Sequence, residues 1–426
     1  MREMKDSGVA WIGEIPKDWK ISKIKNISVS LKSGGTPDSS KDEFYVDKEV
    51  GIPWVAIADM SDKPYITYTQ KYITEEARKS KNLTIFEAGT ILYAMYASVG
   101  KVSVLGVKAT INQALLAISL KKGIDDAYCT FALNAWEPYI ISESNGTTQF
   151  NLNANKVANL QIPMPPENRQ RIISDCINGN CVKVDSLIAN VQAQIEKLKA
   201  YKQSLITEVV TKGLDPNAPM KDSGVEWMGK INAEYDVRTI RSLFTIRKDI
   251  IGHEPDRVLS ITQKGLRVKN IAENEGQMAD SYAKYQIVRV GDFAMNHMDL
   301  LTGGIGIADV EGVTSPDYRV FAKKDPTYCS RYFLYVFESY YRNKIFYAFG
   351  QGAANMGRWR LPAQNFNKML IPVPKVDDQY VLASHLDAKC AQIEQLISLK
   401  ESKIEKLQQY KRSLIYEYVT GKKEVV

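Results

Sequence analysis

Met4 to Ile15 reads MKDSGVAWIGEI, and 216 residues later Met220 to Ile231 reads MKDSGVEWMGKI. A second pair follows at an offset of 209: IEKLKAYKQSLITEVVTKG from Ile195 and IEKLQQYKRSLIYEYVTGK from Ile404. Ile162-Pro163-Met164-Pro165 matches Ile371-Pro372-Val373-Pro374 at that same offset of 209, and Gln170 falls on Gln379. Agreement of this extent makes the chain a tandem duplication, with a few residues gained or lost between the two sets. Each unit runs in one order: a DSGV-W segment, about 140 variable residues, an Ile-Pro-x-Pro strand end and a long heptad helix. This order divides the chain into 1–165, a helix over 166–213, a second domain over 214–375 and a helix over 376–426. The frame is shared and the contents differ, which suits two related but distinct recognition tasks.

In the first helix Val184, Val191, Leu198 and Leu205 recur at seven, with Ile188, Ile195 and Val209 in the other seam position. The second gives Ile393, Leu407 and Leu414 in one register and Ile397, Ile404 and Tyr418 in the other. This is the a/d pattern of a coiled coil. Lys202 and Lys411 interrupt it at the same place in both copies, and Lys400 in the second alone. Such stripes also suit a helix lying on its own domain, but two equal helices in one chain are more simply explained by packing on each other. Connectivity then makes them antiparallel, with the domains at opposite ends and the end of the second helix returned toward Met1. About 40 helical residues at 1.5 Å each give a rod of roughly 60 Å. The variable regions mix β-type runs (Ile52 to Ile57, Thr90 to Tyr93) with helical stretches (Tyr128 to Ile141, Arg331 to Tyr347). The fold class expected is mixed α/β.

With 426 residues, 44% hydrophobic and 25% charged, the composition is that of a globular protein of two or three domains, not a disordered or fibrous one. Fifty-six Lys and Arg against 49 Asp and Glu give a net charge of +7, which permits a polyanionic partner without requiring one. Five irregularly spaced cysteines (Cys129, Cys176, Cys181, Cys329, Cys390) argue against a disulfide framework and for a reducing compartment. The charged N-terminus lacks the apolar run of a signal peptide, and no uncharged apolar stretch reaches membrane-spanning length. A cytoplasmic location is expected.

Enzyme signatures are missing: there is no GxxxxGK[ST], HExxH or GxSxG, and Gly303-Gly304-Ile305-Gly306 lacks the βαβ setting of a dinucleotide loop. Asp387-Ala388-Lys389 has nuclease-like spelling but lies on the heptad helix, where a surface charge is the simpler reading. What is present suits nucleic acid. Lys32-Ser33-Gly34-Gly35-Thr36-Pro37 is a loop with a cation and hydroxyls, of the kind that approaches phosphates or base edges. Tyr93, Tyr96, Ser98 and Lys101 precede Asn112-Gln113, whose amides can pair bidentately with adenine N6 and N7. Thr148, Gln149 and Asn151 add a polar loop. In the second half the counterpart is Asn355 to Arg360, with Arg358 and Arg360 in place of amides, and arginines favour guanine O6 and N7; Asn296, His297, Lys264 and Arg267 are further candidates. Each loop alone reads equally well as solvated surface; their joint placement in the divergent parts of a duplicated frame favours recognition.

The two DSGV-W segments, Gly34-Gly35-Thr36-Pro37 with Ile52-Pro53-Trp54-Val55, Asn112-Gln113-Ala114, the two Ile-Pro-x-Pro ends and the repeated helices together resemble the specificity (S) subunit of type I restriction-modification systems. The resemblance covers essentially the whole chain. It implies two target-recognition domains, each reading one half of a bipartite double-stranded DNA site, held apart by antiparallel helices. It also implies two adenine-N6 methyltransferase subunits and two ATP-driven restriction-translocase subunits as partners. S-adenosylmethionine, ATP and Mg²⁺ would then be bound by those partners, leaving this chain non-catalytic and without a cofactor. The second domain lacks GGTP and Asn-Gln-Ala, so contact residues do not carry over to it. A stand-alone DNA-binding or anti-restriction protein, or a protein-interaction scaffold, remains open as an alternative use of the same frame.

Overall fold

The structure is a computed structural model and describes residues 2–60, 65–96, 98–136, 139, 152–270, 279–352 and 359–425. It divides into two compact units, Met1–Val191 with Ser402–Val426, and Gln192–Glu401. Each unit therefore contains part of both long helices, Glu167–Lys212 and Val376–Val419.

The first unit is built on a five-stranded sheet in the order Ser28–Ser33, Leu115–Leu120, Ile91–Ala94, Val102–Leu105, Tyr65–Ile66. All four residues of Ile91–Ala94 are buried, as a central strand covered on both faces requires. Helix Asp126–Asn134, capped by the Asp125 carboxylate accepting from Tyr128 N at 2.7 Å, packs into the same core. A four-stranded sheet follows the order Thr110–Ile111, Ile52–Val55, Lys71–Ile73, Tyr45–Val46.

The second unit repeats the main sheet with four strands in the same spatial order: Phe244–Arg247, Arg319–Lys323, Phe293–Met295, Ile305–Ile307. Its helix Ser330–Arg342 buries nine residues, with Phe333 and Phe337 edge-on to Phe244 at 5.2 and 5.4 Å. The helix expected through Tyr347 breaks at Lys344, which takes a left-handed φ of 59°, and resumes as Ile345–Ala348. The helix expected over Tyr128 to Ile141 ends at Asn134.

The repeated segments make the same contacts in both units. Asp6 accepts from Gly8 N and Asp222 from Gly224 N, both at 2.9 Å, and these glycines stand at φ 68° and 69°, a conformation that suits glycine. That is the physical content of DSG. Gln161–Met164 pairs with Lys20–Lys23, and Leu370–Val373 with Asp236–Thr239, both antiparallel. Gln170, buried at the start of its helix, donates to Pro165 O and accepts from Asp125 N; Gln379 donates to Pro374 O and accepts from Cys329 N. Tyr128 Oη donates to Pro163 O and Val419 O, and Tyr332 Oη to Pro372 O and Val210 O. Burial raises both phenols well above the usual tyrosine range.

The end of the second helix does return to the first segment: Leu414, Tyr418 and Val419 share a core with Trp11 and Ile12, and Tyr416 Oη donates to Ile12 O at 3.2 Å. Within each unit the two helices run antiparallel. In the second, Lys202 meets Glu394 and Lys400 meets Gln194; in the first, Lys411 meets Asp185 at 2.7 Å and Tyr418 faces Cys176. The seam residues Val184, Ile188, Val191, Ile195, Leu198, Leu205, Ile393, Ile397, Ile404, Leu407 and Leu414 are all buried or half-buried. All five cysteines are free. Among the described residues no helix is long and apolar enough to cross a membrane.

Candidate nucleic-acid interface

Antiparallel pairing brings distant loops together at one end of each main sheet. In the first unit, Leu116 opposite Ser33 and Tyr93 puts the exit of Ser28–Ser33, the exit of Ile91–Ala94 and the entry to Leu115–Leu120 side by side. Gly34-Gly35-Thr36, Tyr96, Ser98 and Asn112-Gln113 therefore converge. Gly34 N donates to Leu115 O and Gly35 N to Ile111 O, while Trp54 Nε1 donates to Gly35 O at 3.0 Å. A Cβ on Gly34 would stand 1.9 Å from Ile111 O, so only glycine fits this crossing.

Thr36 Oγ1 donates to Gln113 Oε1. That engages the oxygen of the exposed Gln113 carboxamide and leaves its amide nitrogen for another partner. Asn112 Oδ1 accepts from Ala114 N at 3.1 Å, closing the turn and likewise leaving the Asn112 amide nitrogen for another partner. Tyr96 and Ser98 are exposed, and Lys32 is exposed on the edge strand. Tyr93 is a correction: it is fully buried within the central strand, so its side chain faces the core and not a ligand. Thr148, Gln149 and Asn151 lie outside the described residues, as does Arg358.

The same end of the second sheet is cationic. Asn296 and His297 follow Phe293–Met295, Lys248 follows Phe244–Arg247, and Arg319 opens the strand paired with both. Gln263 Nε2 donates to Thr302 O, which brings the hairpin turn carrying exposed Lys264 against this end; Arg267 is exposed on the strand that follows. Arg360 bridges to Gln351, and Leu361 N donates to His297 O at 2.9 Å. Asn296 Oδ1 accepts from Met298 N and Asp299 N, so that carboxamide oxygen shapes its loop. Burial, with Arg319, Arg360 and Lys248 nearby, holds the His297 imidazole down to about 3, neutral at physiological pH.

Arg319 was missed in the sequence. It is 4% exposed, donates to Leu361 O at 2.7 Å and stacks over Phe366 at 4.7 Å. Its signal was a lone arginine opening an apolar strand. Asp387, of the nuclease-like tripeptide, accepts from Arg331 Nε and Tyr335 Oη, both at 2.6 Å, as a surface ion pair. Among the described residues no cluster of three His, Cys, Asp or Glu side chains is placed to hold a metal.

Residues 16–199 match the family described as type I restriction modification DNA specificity domain. Over 192 residues, 44% of this chain, the sequence is 32% identical to the type I restriction enzyme MjaIX specificity subunit of Methanocaldococcus jannaschii, and the match spans 43% of that protein's length. The putative MjaX specificity subunit of the same organism is 23% identical over 96% of this chain and 95% of its own. A solved chain described under "Structural basis underlying complex assembly and conformational transition of the type I R-M system" shares the fold, with a TM-score of 0.65 and 12% identity over 95% of this chain and 98% of that one.

Proposed function

Because residues 16–199 carry a type I DNA specificity domain and the whole chain resembles specificity subunits, we propose that each unit reads one half of a bipartite DNA site through the open end of its main sheet. The observation that carries this reading is the contrast of that end between the units. One frame, repeated to single hydrogen bonds, presents amides and hydroxyls in the first and cations in the second. Gln113 and Asn112 suit adenine edges; Arg360 and Lys264 suit guanine edges or phosphates. The two long helices fix the gap between half-sites, and the chain itself supplies no catalytic group.

Adenine-N6 methyltransferase subunits and restriction-translocase subunits are the partners proposed, and S-adenosylmethionine, ATP and Mg²⁺ are assigned to them. Support for two copies of one partner comes from the helix surfaces. Leu187 and Tyr410 are 51% and 53% exposed in the first unit, and Leu396 and Tyr201 are 47% and 57% exposed in the second. These are the same two positions at an offset of 209, each next to the seam, where an apolar side chain gains nothing from water.

The test is methylation by the reconstituted complex of duplexes altered in one half-site at a time. Asn112→Ala with Gln113→Ala weakens discrimination in the half read by residues 21–160 alone. Loss of equal size at both halves, or on every sequence, contradicts the assignment.

A further inference from the structure

Strand register makes the two sheets comparable residue by residue. Ile91 opposite Ile118 corresponds to Phe293 opposite Phe321, which sets Arg319 on Leu116. Leu152 N donates to Met95 O as Leu361 N does to His297 O, which sets His297 on Met95. Leu116 and Met95 are buried apolar side chains of one core. The second unit has replaced that apolar pair by a guanidinium and an imidazole.

The replacement is not balanced within the chain. Arg319 Nη1 and His297 Nδ1 are both buried with no hydrogen-bond partner. Among the described residues Arg319, Arg360 and Lys248 make no ion pair, and the three are the charges felt by His297. A buried cation without a counter-charge is costly, and an orphaned guanidinium donor calls for an acceptor from outside the chain. Arg360 and Lys248 are exposed, His297 is half-buried, and Arg319 lies beneath them, so positive charge is layered from the surface inward at one point.

We propose that this end of the second sheet is a binding site for a phosphate group, with Arg360 and Lys248 at its mouth and Arg319 with His297 at its base, and that the described residues of the first unit hold no counterpart. It rests on the DNA reading only for the source of that group, a backbone phosphodiester. Cations layered in depth suit a phosphate oxyanion, which guanidinium and ammonium groups can approach from several directions, better than a base edge, which is read in one plane.

The experiment has two arms on the full chain. In the first, thermal unfolding is followed in phosphate and in chloride at matched ionic strength. Phosphate raises the wild-type midpoint in a concentration-dependent way, and Arg319→Met and Arg360→Ala each abolish most of that rise. Arg360→Ala and Lys248→Ala alter exposed residues and keep the test decisive should Arg319→Met fail to fold. In the second arm, duplex binding is measured against salt. Arg360→Ala lowers the log–log slope by about 0.9, on cognate and unrelated duplexes alike. Equal phosphate response in wild type and all variants overturns the site, as does a binding loss confined to the cognate sequence, which marks a base contact. A lost phosphate response with unchanged duplex binding keeps the site, assigns it to free phosphate and counts against the DNA reading instead.

Discussion

The open ends of the two main sheets differ between the units far more than the closed cores beneath them. Below, Tyr128 and Tyr332 bond equivalent carbonyls, Gln170 and Gln379 lock equivalent helix starts, and Asp185–Lys411 mirrors Glu394–Lys202. Above, the end of the first sheet carries Gly34, Thr36 and Gln113, while the end of the second carries Lys248, His297 and Arg319. The lesson is that the frame is held by backbone-directed hydrogen bonds, which tolerate no change of side chain, while the ends are held by strand register, which does. A chain built so can alter the end of one sheet without disturbing the frame of either unit.

Four changes would break or sharpen that contrast. The largest effect is expected from Gly34→Val, whose Cβ collides with the Ile111 carbonyl. Overpacking against a backbone carbonyl falls at or above the upper end of the usual ~1–3 kcal/mol, enough to lose the first half-site by tenfold or more while the second is read as before; half-site binding competition measures it. Asn112→Ala with Gln113→Ala follows, at about 1–3 kcal/mol of base discrimination for a lost bidentate pair, again in one half-site alone. Tyr128→Phe and Tyr332→Phe each strand two buried carbonyls and cost about 1–3 kcal/mol of stability. Their equality in urea unfolding is the point: unequal losses would mean that the frames are not equivalent. The smallest effect belongs to the seam lysines. Their ion pairs are partly exposed, 31% and 18% at the lysine side, so Lys411→Met and Lys202→Met change stability by at most about 1 kcal/mol.

The duplication, the two helices, their seam and the return of the C-terminal helix to the first segment were legible because they are written as repetition and period. The seam lysines were seen as interruptions. Their partners Asp185 and Glu394 share the 209 offset, so both ion pairs are written in the repeat. The ends of the sheets were half legible. Gly34, Asn112 and Gln113 announced a loop by composition, but the Thr36–Gln113 bond joins residues 77 apart and exists only through register. Tyr93 misled because a phenol suggests a contact, while a strand covered on both faces buries it. Arg319 escaped because one arginine before Val320-Phe321-Ala322 reads as a strand edge, and only its alignment with Leu116 reveals a buried charge.

The central claim is that this chain directs modification to a split site, one unit per half. It is tested most directly by mapping N6-methyladenine across the genome of a methylation-free host. The host would carry the cognate methyltransferase with this chain, without it, or with a chain in which residues 21–160 are exchanged. The account predicts a bipartite motif present only with the chain, and altered in one half alone by the exchange. A motif that persists without the chain, or that changes in both halves after the exchange, would contradict it.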